Sequence, residues 1–133
     1  PIEIFAVGAS HRTSVLETAH MHAKFGDGLL ADATLSWVIP RKVRQLSLIG
    51  ESRSMFVDAV GQEIIVFESG YTYKLGVERN NTIRDELLHF IESVGNPLAE
   101  TKNSGMIGVR TIELIEAAKK SIADKMAVSI SMK

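Results

Sequence analysis

The chain has 133 residues, 45% of them hydrophobic and 23% charged, with 15 lysines and arginines against 16 aspartates and glutamates. This length fits one domain with a self-supporting core, so we expect a single domain over residues 1–133. A net charge of -1 leaves no clustered cations for the phosphates of nucleic acid, and no stretch is apolar enough to span a membrane. Cysteine is absent, which excludes disulfides and thiolate catalysis, and we expect a cytoplasmic location.

Residues of alternating polarity predict a β-hairpin near the N-terminus, after a first strand over Pro1–Val7. The hairpin turns at Gly26–Gly28, where a three-residue loop keeps apolar residues opposite apolar ones and polar residues opposite polar ones. Gly28 is expected to take the left-handed conformation that such a loop requires. The predicted pairs are Phe25 with Leu29, Ala23 with Ala31, Met21 with Ala33, His22 with Asp32 and His20 with Thr34.

More strands and two helices follow the break at Pro40. Helical spacing predicts one helix over residues 83–94, with Thr82 as its cap and Asp85 three residues further on. A second helix is predicted from about Gly105 to Ala123. The predicted strands are Val43–Ile49, Met55–Val57, Ile64–Phe67 and Tyr71–Val77, with a short closing strand over Ala127–Ile130.

The order of these elements predicts an α+β fold, an open and mainly antiparallel sheet with two C-terminal helices packed on one face. Two helices cannot cover both faces of such a sheet, so we expect an apolar face to remain exposed. A second copy of the chain is the expected partner there, because closed two-fold pairing is the commonest way to bury such a face. The first suspected interface residues are Trp37, Leu35 and Met21, or the opposite parity if the helices cover that side.

A few polar residues are candidates for chemistry. His20 and His22 lie two residues apart on one strand face with Asp32 opposite His22, a spacing that fits a three-ligand metal site. The alternative is an ordinary hydrogen-bonded cross-strand pair between His22 and Asp32. Arg41, Lys42 and Arg44 form a basic cluster that is either solvated or faces an anion. No glycine-rich fingerprint follows a strand, so the sequence offers no nucleotide cradle of its own.

Several stretches, taken together, are typical of one domain. They are Pro1–Val7, the Gly26–Gly28 turn with Leu35-Ser36-Trp37, Pro40–Arg44, Leu48–Gly50, and the helical segments Ile83–Val94 and Gly108–Ala118. Their order and spacing resemble the C-terminal domain of the glucose–fructose oxidoreductase and inositol dehydrogenase (Gfo/Idh/MocA) family of NAD(P)-dependent oxidoreductases. The resemblance covers nearly the whole chain.

The resemblance implies a substrate-side and oligomerisation domain of a sugar or polyol oxidoreductase, with Trp37, Arg41 and Arg44 as substrate-side candidates. Family members hold NAD or NADP on an N-terminal Rossmann domain, and that domain, with the family's catalytic lysine and histidine, has no counterpart in this sequence. We therefore expect this chain alone to bind no cofactor, to hold no catalytic residue and to be inactive, with the missing Rossmann domain and a second copy as partners. The alternative is a stand-alone ligand- or metal-binding module that uses His20, His22 and Asp32.

Overall fold

Eight strands and two helices make up residues 1–96 and 103–131, the part of the chain that the computed structural model describes. The strands before the helices are β1 (Glu3–Ala9), β2 (Thr18–Lys24), β3 (Leu30–Ser36), β4 (Gln45–Ile49), β5 (Arg53–Asp58), β6 (Glu63–Glu68) and β7 (Tyr71–Leu75). The helices are α1 (Thr82–Gly95) and α2 (Gly105–Asp124), and the short strand β8 (Val128–Ser129) follows them. The predicted α+β class is confirmed. None of the helices in these residues is long and apolar enough to cross a membrane.

The strands form two antiparallel sheets of four, where the sequence predicted one. The first sheet has the order β3-β2-β1-β8 and the second has the order β4-β5-β6-β7. The break falls between β3 and β4 at Pro40, whose missing N–H cannot donate to a strand ladder. The chain divides accordingly into two compact units, Pro1–Pro40 with the residues from Thr101 onward, and Arg41–Glu100. That the two units behave as one domain stays a prediction.

The hairpin of β2 and β3 has the register that the sequence predicts. Met21 pairs with Ala33 and His22 pairs with Asp32. The N–H of Phe25 donates to the carbonyl of Leu29 at 2.9 Å, which closes the three-residue loop. Gly28 has a φ of 90°, in the left-handed region where a side chain would be strained. The alternation of apolar and polar residues therefore fixed this register correctly.

Helix α2 packs against β1 and β8 on one face of the first sheet, and the core of this unit lies beneath it. Ile4 and Ala6 on β1 are buried beneath the helix. Gly8 continues the same face, where a Cβ would lie 2.9 Å from the carbonyl oxygen of Thr18 and 3.1 Å from the Cδ1 of Ile122. A side chain at Gly8 would force β1 and β2 to shift, because real Cβ atoms do not approach a backbone oxygen so closely, and the Ile122 side chain of α2 would also have to give way.

Ser121 joins the helix to the edge of β1. Strand β8 pairs only with Glu3 and Ile4, so the ladder on this edge ends before Ala6. The Ala6 N–H instead donates to the fully buried Ser121 Oγ at 2.9 Å, and that hydroxyl donates to the Met126 carbonyl at 2.6 Å. Both backbone groups are satisfied by one side chain, which fixes where α2 crosses the sheet.

The covered face of the first sheet is the one that carries Met21 and Leu35, since Met21 pairs with the buried Ala6. Sequence analysis gave two alternatives for the exposed face, the side of Leu35 and Met21 or the opposite side. In the first sheet, the opposite side is the one that α2 leaves open. Its apolar members on β1 are Phe5 and Val7, both exposed. We call this side the open face of the first sheet.

The second sheet presents apolar residues on both faces. One face carries Leu46, Leu48, Met55, Val57, Ile64, Val66, Tyr73 and Leu75, and the other carries Ile49, Phe56, Ile65 and Phe67. Phe56 and Phe67 meet edge to face with ring centroids 5.4 Å apart. No helix packs across this sheet within the described residues of its unit, and only Val66 among its apolar side chains is buried.

Helix α1 begins one residue earlier than the sequence predicted. The cap is Asn81, whose backbone is extended and whose side-chain oxygen accepts from the Arg84 N–H at 3.1 Å. Thr82 is the first helical residue, so the prediction of Thr82 as the cap is wrong. Asn and Thr are both good caps, and their adjacency left the sequence ambiguous. The helix buries none of its residues.

Candidate functional site

The open face of the first sheet holds the polar pairs that the sequence singled out. His22 Nδ1 contacts the carboxylate of Asp32 directly across the strands, and both side chains are exposed. His20 Nδ1 lies 3.2 Å from the hydroxyl of Thr34. Each histidine thus engages its own cross-strand neighbour, as polar residues on an exposed sheet face commonly do.

The metal site that was the alternative interpretation of these residues needs His20, His22 and Asp32 to converge. The structure joins His22 to Asp32 but pairs His20 with Thr34. Across residues 1–96 and 103–131, no three side chains among His, Asp and Glu are arranged to hold a metal ion. The geometry therefore does not favour a metal-binding module.

The substrate-side candidates are divided between the two units. Trp37 belongs to the first unit, directly after β3, and its side chain is 86% exposed. Arg41 and Arg44 belong to the second unit, and both are exposed. Neither arginine forms an ion pair with a described residue. The role of the three in substrate binding stays a prediction.

A buried carboxylate organises the connection between β1 and β2, residues 10–17, which we call the β1–β2 loop. Glu17 is only 7% exposed. Its Oε2 accepts hydrogen bonds from the backbone N–H groups of His11 and Arg12, each at 2.7 Å. The N–H of Glu17 donates to Ala9, and its carbonyl accepts from the Trp37 N–H at 2.8 Å. Glu17 therefore ties the loop, β1 and the end of β3 together.

The surroundings of Glu17 favour its ionised form. Its pKa is lowered, first because the Arg12 N–H and then the His11 N–H donate to the carboxylate, and burial opposes this only in part. Two successive N–H groups that converge on one oxygen are a typical anion-binding arrangement of the backbone. Sequence analysis missed Glu17, because its partners are backbone groups whose direction depends on the loop conformation.

Ion pairs link the strands of the second sheet at both ends of β6, whose first residue is Glu63 and whose last is Glu68. Arg53 contacts the carboxylate of Glu68 across β5 and β6, and the Tyr73 hydroxyl donates to the same carboxylate at 3.3 Å. Lys74 Nζ lies 2.6 Å from Glu63. These contacts lower the pKa of Glu68, chiefly through Arg53, and that of Glu63, chiefly through Lys74, and they raise the pKa of Arg53. The pairs are partly exposed, and their role is to stabilise the sheet.

A side-chain clamp joins the turn after β5 to the start of α1. Gln62, with a φ of 53°, accepts from the Asn80 N–H at 2.9 Å and donates to the Asn80 carbonyl at 3.0 Å. The side-chain amide of Asn80 in turn donates to the carboxylate of Asp85, in the first turn of the helix, at 2.7 Å. The polar groups of Gln62, Asn80 and Asp85 bind one another, so their role is to position the start of α1.

The sequence matches no family model and no curated protein. The fold does match solved structures. For UDP-N-acetylglucosamine 3-dehydrogenase GnnA from Acidithiobacillus ferrooxidans, the TM-score is 0.84 at 16% identity, over 92% of this chain and 40% of that chain. For an aldose-aldose oxidoreductase from Caulobacter crescentus complexed with glycerol, the TM-score is 0.85 at 17% identity, over 98% of this chain and 41% of that chain. For an oxidoreductase from Agrobacterium radiobacter in complex with NAD+, L-tartaric acid and magnesium, it is 0.76 at 14% identity, over 96% and 43%.

Identities of this size show a shared fold. The neighbours are oxidoreductases of the glucose–fructose oxidoreductase and inositol dehydrogenase type, so the resemblance drawn from the sequence motifs is confirmed. The chain spans about two-fifths of the length of these solved structures.

Proposed function

We propose that this chain is the substrate-side and oligomerisation domain of an NAD(P)-dependent oxidoreductase that acts on a sugar or polyol. The observation that carries the proposal is the fold match, which spans more than nine-tenths of this chain and about two-fifths of each neighbour. Two of those neighbours are named for sugar substrates, and a third holds NAD+.

The proposed roles are divided between this chain and a dinucleotide-binding domain. NAD or NADP, when bound there, accepts the hydride that leaves a carbinol carbon of the substrate. In the first unit, Trp37 offers an apolar ring to a sugar. In the second unit, Arg41 and Arg44 offer N–H donors to hydroxyl or anionic groups. Its sheets join one copy of the protein to another.

The gene gives the most direct test of the oxidoreductase role. We expect the DNA upstream of the Pro1 codon to encode, in the same reading frame, a glycine-rich βαβ segment of the kind that binds a dinucleotide. The role would be contradicted by an in-frame stop codon upstream of Pro1 with no glycine-rich βαβ segment encoded between that stop codon and Pro1.

Cofactor binding by the chain alone is a second test. Calorimetric titration with NADH and NADPH is expected to show no micromolar binding, because no glycine-rich phosphate cradle is available to offset the entropy of fixing a flexible dinucleotide. Micromolar binding of either nucleotide would show that this chain holds the cofactor itself, contrary to the proposed division.

Self-association is expected through the second sheet, whose two faces both expose apolar side chains. Bare apolar faces of several hundred Å² are rare on monomers and mark interfaces. Leu48 and Ile49 are consecutive in β4, so they point to opposite faces of the sheet, and both are exposed. This makes Leu48→Lys and Ile49→Lys a matched pair.

Light scattering of the unmodified chain at micromolar concentration should give a dimer or a larger assembly. Lysine on the face that pairs sets like charges opposite each other and should weaken association about tenfold or more, whereas lysine on the other face should leave the mass unchanged. A monomeric unmodified chain would refute self-association. If both variants keep the mass of the assembly, the interface does not lie on the second sheet.

A further inference from the structure

The β1–β2 loop is held in one conformation by an unusual device. Residues 10–17 make it longer than the common hairpin loops of about two to five residues, which are fixed by turn geometry alone. Here the buried Glu17 carboxylate accepts from the His11 and Arg12 N–H groups, and the Glu17 N–H donates to Ala9 at 3.0 Å. The buried carboxylate thus fixes the backbone of this long loop, in addition to the packing of Leu16 beside Gly8.

The same arrangement turns the basic side chains of the loop outward. The Arg12 side chain is 70% exposed, and its Nε lies 3.8 Å from Glu17 Oε1, beyond hydrogen-bond distance. Its guanidinium makes no hydrogen bond to any other residue within 1–96 and 103–131. Glu17, buried and already bound to two N–H groups, is the single acidic residue of the loop. Arg12 thus forms one long ion pair with Glu17, and its N–H donors are exposed to an external anion.

An exposed aromatic ring stands at the same end of the first sheet. The Trp37 N–H donates to the Glu17 carbonyl, so the backbone of Trp37 is attached to the residue that orders the loop. Its indole is the most exposed of the large apolar side chains in the described part of the chain. A flat, exposed ring on a fixed backbone can stack on the apolar face of a sugar ring.

We infer that the β1–β2 loop and Trp37 form a binding surface for a phosphorylated sugar, with Arg12 binding the phosphate, Trp37 contacting the sugar ring and Glu17 acting as the positioning residue. Arginine binds phosphate through two parallel N–H donors, which a neutral sugar does not engage in the same way. The loop is ordered before the ligand arrives, which lowers the entropy cost of binding. The inference rests on the proposed function, because it names the substrate class of the domain's substrate side.

The test is a titration of the full chain followed by two-dimensional ¹⁵N NMR. The probes are glucose 1-phosphate, glucose and inorganic phosphate. Glucose 1-phosphate is expected to shift the amide signals of His11 and Arg12 and the indole N–H of Trp37, and to bind about tenfold more tightly than either half of the molecule. Equal binding of glucose and glucose 1-phosphate would overturn the assignment, as would signals that do not move at millimolar concentrations.

Arg12→Gln tests the phosphate contact, with Arg79→Gln as its control. Arg79 is exposed to the same degree, 72% against 70%, and lies in the second unit beside Glu63. Arg12→Gln should lower the affinity for glucose 1-phosphate about tenfold and leave the affinity for glucose unchanged, whereas Arg79→Gln should change neither affinity. If Arg12→Gln binds glucose 1-phosphate as the unmodified chain does, the loop is not the phosphate site.

Glu17→Gln tests the positioning role. The amide side chain keeps the size of the carboxylate but loses its charge, so hydrogen exchange at the His11 and Arg12 amides should accelerate while the Ala6 amide stays protected. Affinity for glucose 1-phosphate should fall together with that protection. Faster exchange with unchanged affinity would give Glu17 a merely structural role and overturn this part. These outcomes concern the loop alone, whereas the upstream gene segment decides the proposed function independently.

Discussion

The two units contain the same parts, a four-stranded antiparallel sheet and one helix, but they differ in how the helix is used. In the first unit α2 lies across β1, buries Ile4 and Ala6, and is pinned by Ser121. In the second unit α1 buries none of its residues, and the apolar side chains on both faces of the sheet are largely exposed. The first unit supplies its own cover, whereas the described residues of the second unit supply none for its sheet.

This difference separates stability from association. Burial of apolar side chains is the main favourable term in folding, so the first unit owes its stability to contacts that α2 supplies. The strands of the second sheet are held by backbone ladders, by the ion pairs of Glu63 and Glu68 and by one deeply placed side chain, Val66. A sheet in this state gains most from a partner outside its own unit.

The largest effect is expected from a change in the core of the first unit. Ile4→Ala removes a fully buried side chain beneath α2 and should lower the free energy of unfolding by about 3 kcal/mol. Urea unfolding monitored by the amide signals of α2 measures this. The matched control is Ile49→Ala in the second unit, where the same truncation at a residue 81% exposed should cost less than about 0.5 kcal/mol. Equal losses would remove the contrast between the units.

The next effect concerns the polar link between helix and strand. Ser121→Ala leaves the buried Ala6 N–H and the half-buried Met126 carbonyl without this hydroxyl, which should cost about 2 kcal/mol. Thr111→Ala on the same helix is the control, because its hydroxyl bonds only to the Ile107 carbonyl at an exposed position. The same urea titration compares the two variants. A Ser121→Ala variant as stable as Thr111→Ala would show that water replaces the hydroxyl.

A smaller effect is expected at the cap of α1, where the helix has no sheet beneath it. Asn81→Ala removes the side-chain acceptor of the Arg84 N–H and should cost about 1 kcal/mol, confined to this helix. Hydrogen exchange at the Arg84 amide should accelerate while the amides of α2 keep their protection. Thr82→Ala is the control and should leave exchange nearly unchanged. If Thr82→Ala gave the larger acceleration, the cap would be Thr82 after all.

Much of this fold follows from local sequence pattern. The hairpin register was predictable because alternation on both strands, with Gly28 in the turn, leaves one loop length that suits both faces. The helices were predictable because their apolar residues recur at helical spacing. These features depend on neighbours a few residues apart.

The features that the sequence did not reveal depend on distant partners. In the sequence, Ser121 is an ordinary helical serine. It binds the Ala6 N–H because β8 ends before it reaches Ala6. Glu17 reads as a lone acid before a strand, since its partners are backbone N–H groups of the loop. The first sheet is completed by the pairing of β1 with β8, which lies at the other end of the chain. Such pairings leave no local pattern.

The smallest effect expected is the response of the two units to acid. In the folded chain the pKa values of Glu17, Glu63 and Glu68 are all lowered, so the fold stabilises their ionised forms. Their contribution is fully present above the unfolded-state pKa of glutamate, about 4.3, and is lost as the pH falls through the lower folded-state values. Acidification should therefore weaken the β1–β2 loop and the ion pairs at both ends of β6, and neither region should gain stability.

Salt distinguishes the two responses. The carboxylates of Glu63 and Glu68 face the side chains of Lys74 and Arg53 in partly exposed pairs, which dissolved ions screen. Glu17 is buried and bound by backbone N–H groups, which salt screens far less. Hydrogen exchange measured from about pH 6 to about pH 3, at low and high salt, should show protection at the ends of β5 and β6 falling with salt even at the higher pH. Protection at the β1–β2 loop should depend on pH alone. A loop that loses protection with salt as readily as the sheet would mean that the exposed Arg12 side chain, rather than the backbone, holds Glu17.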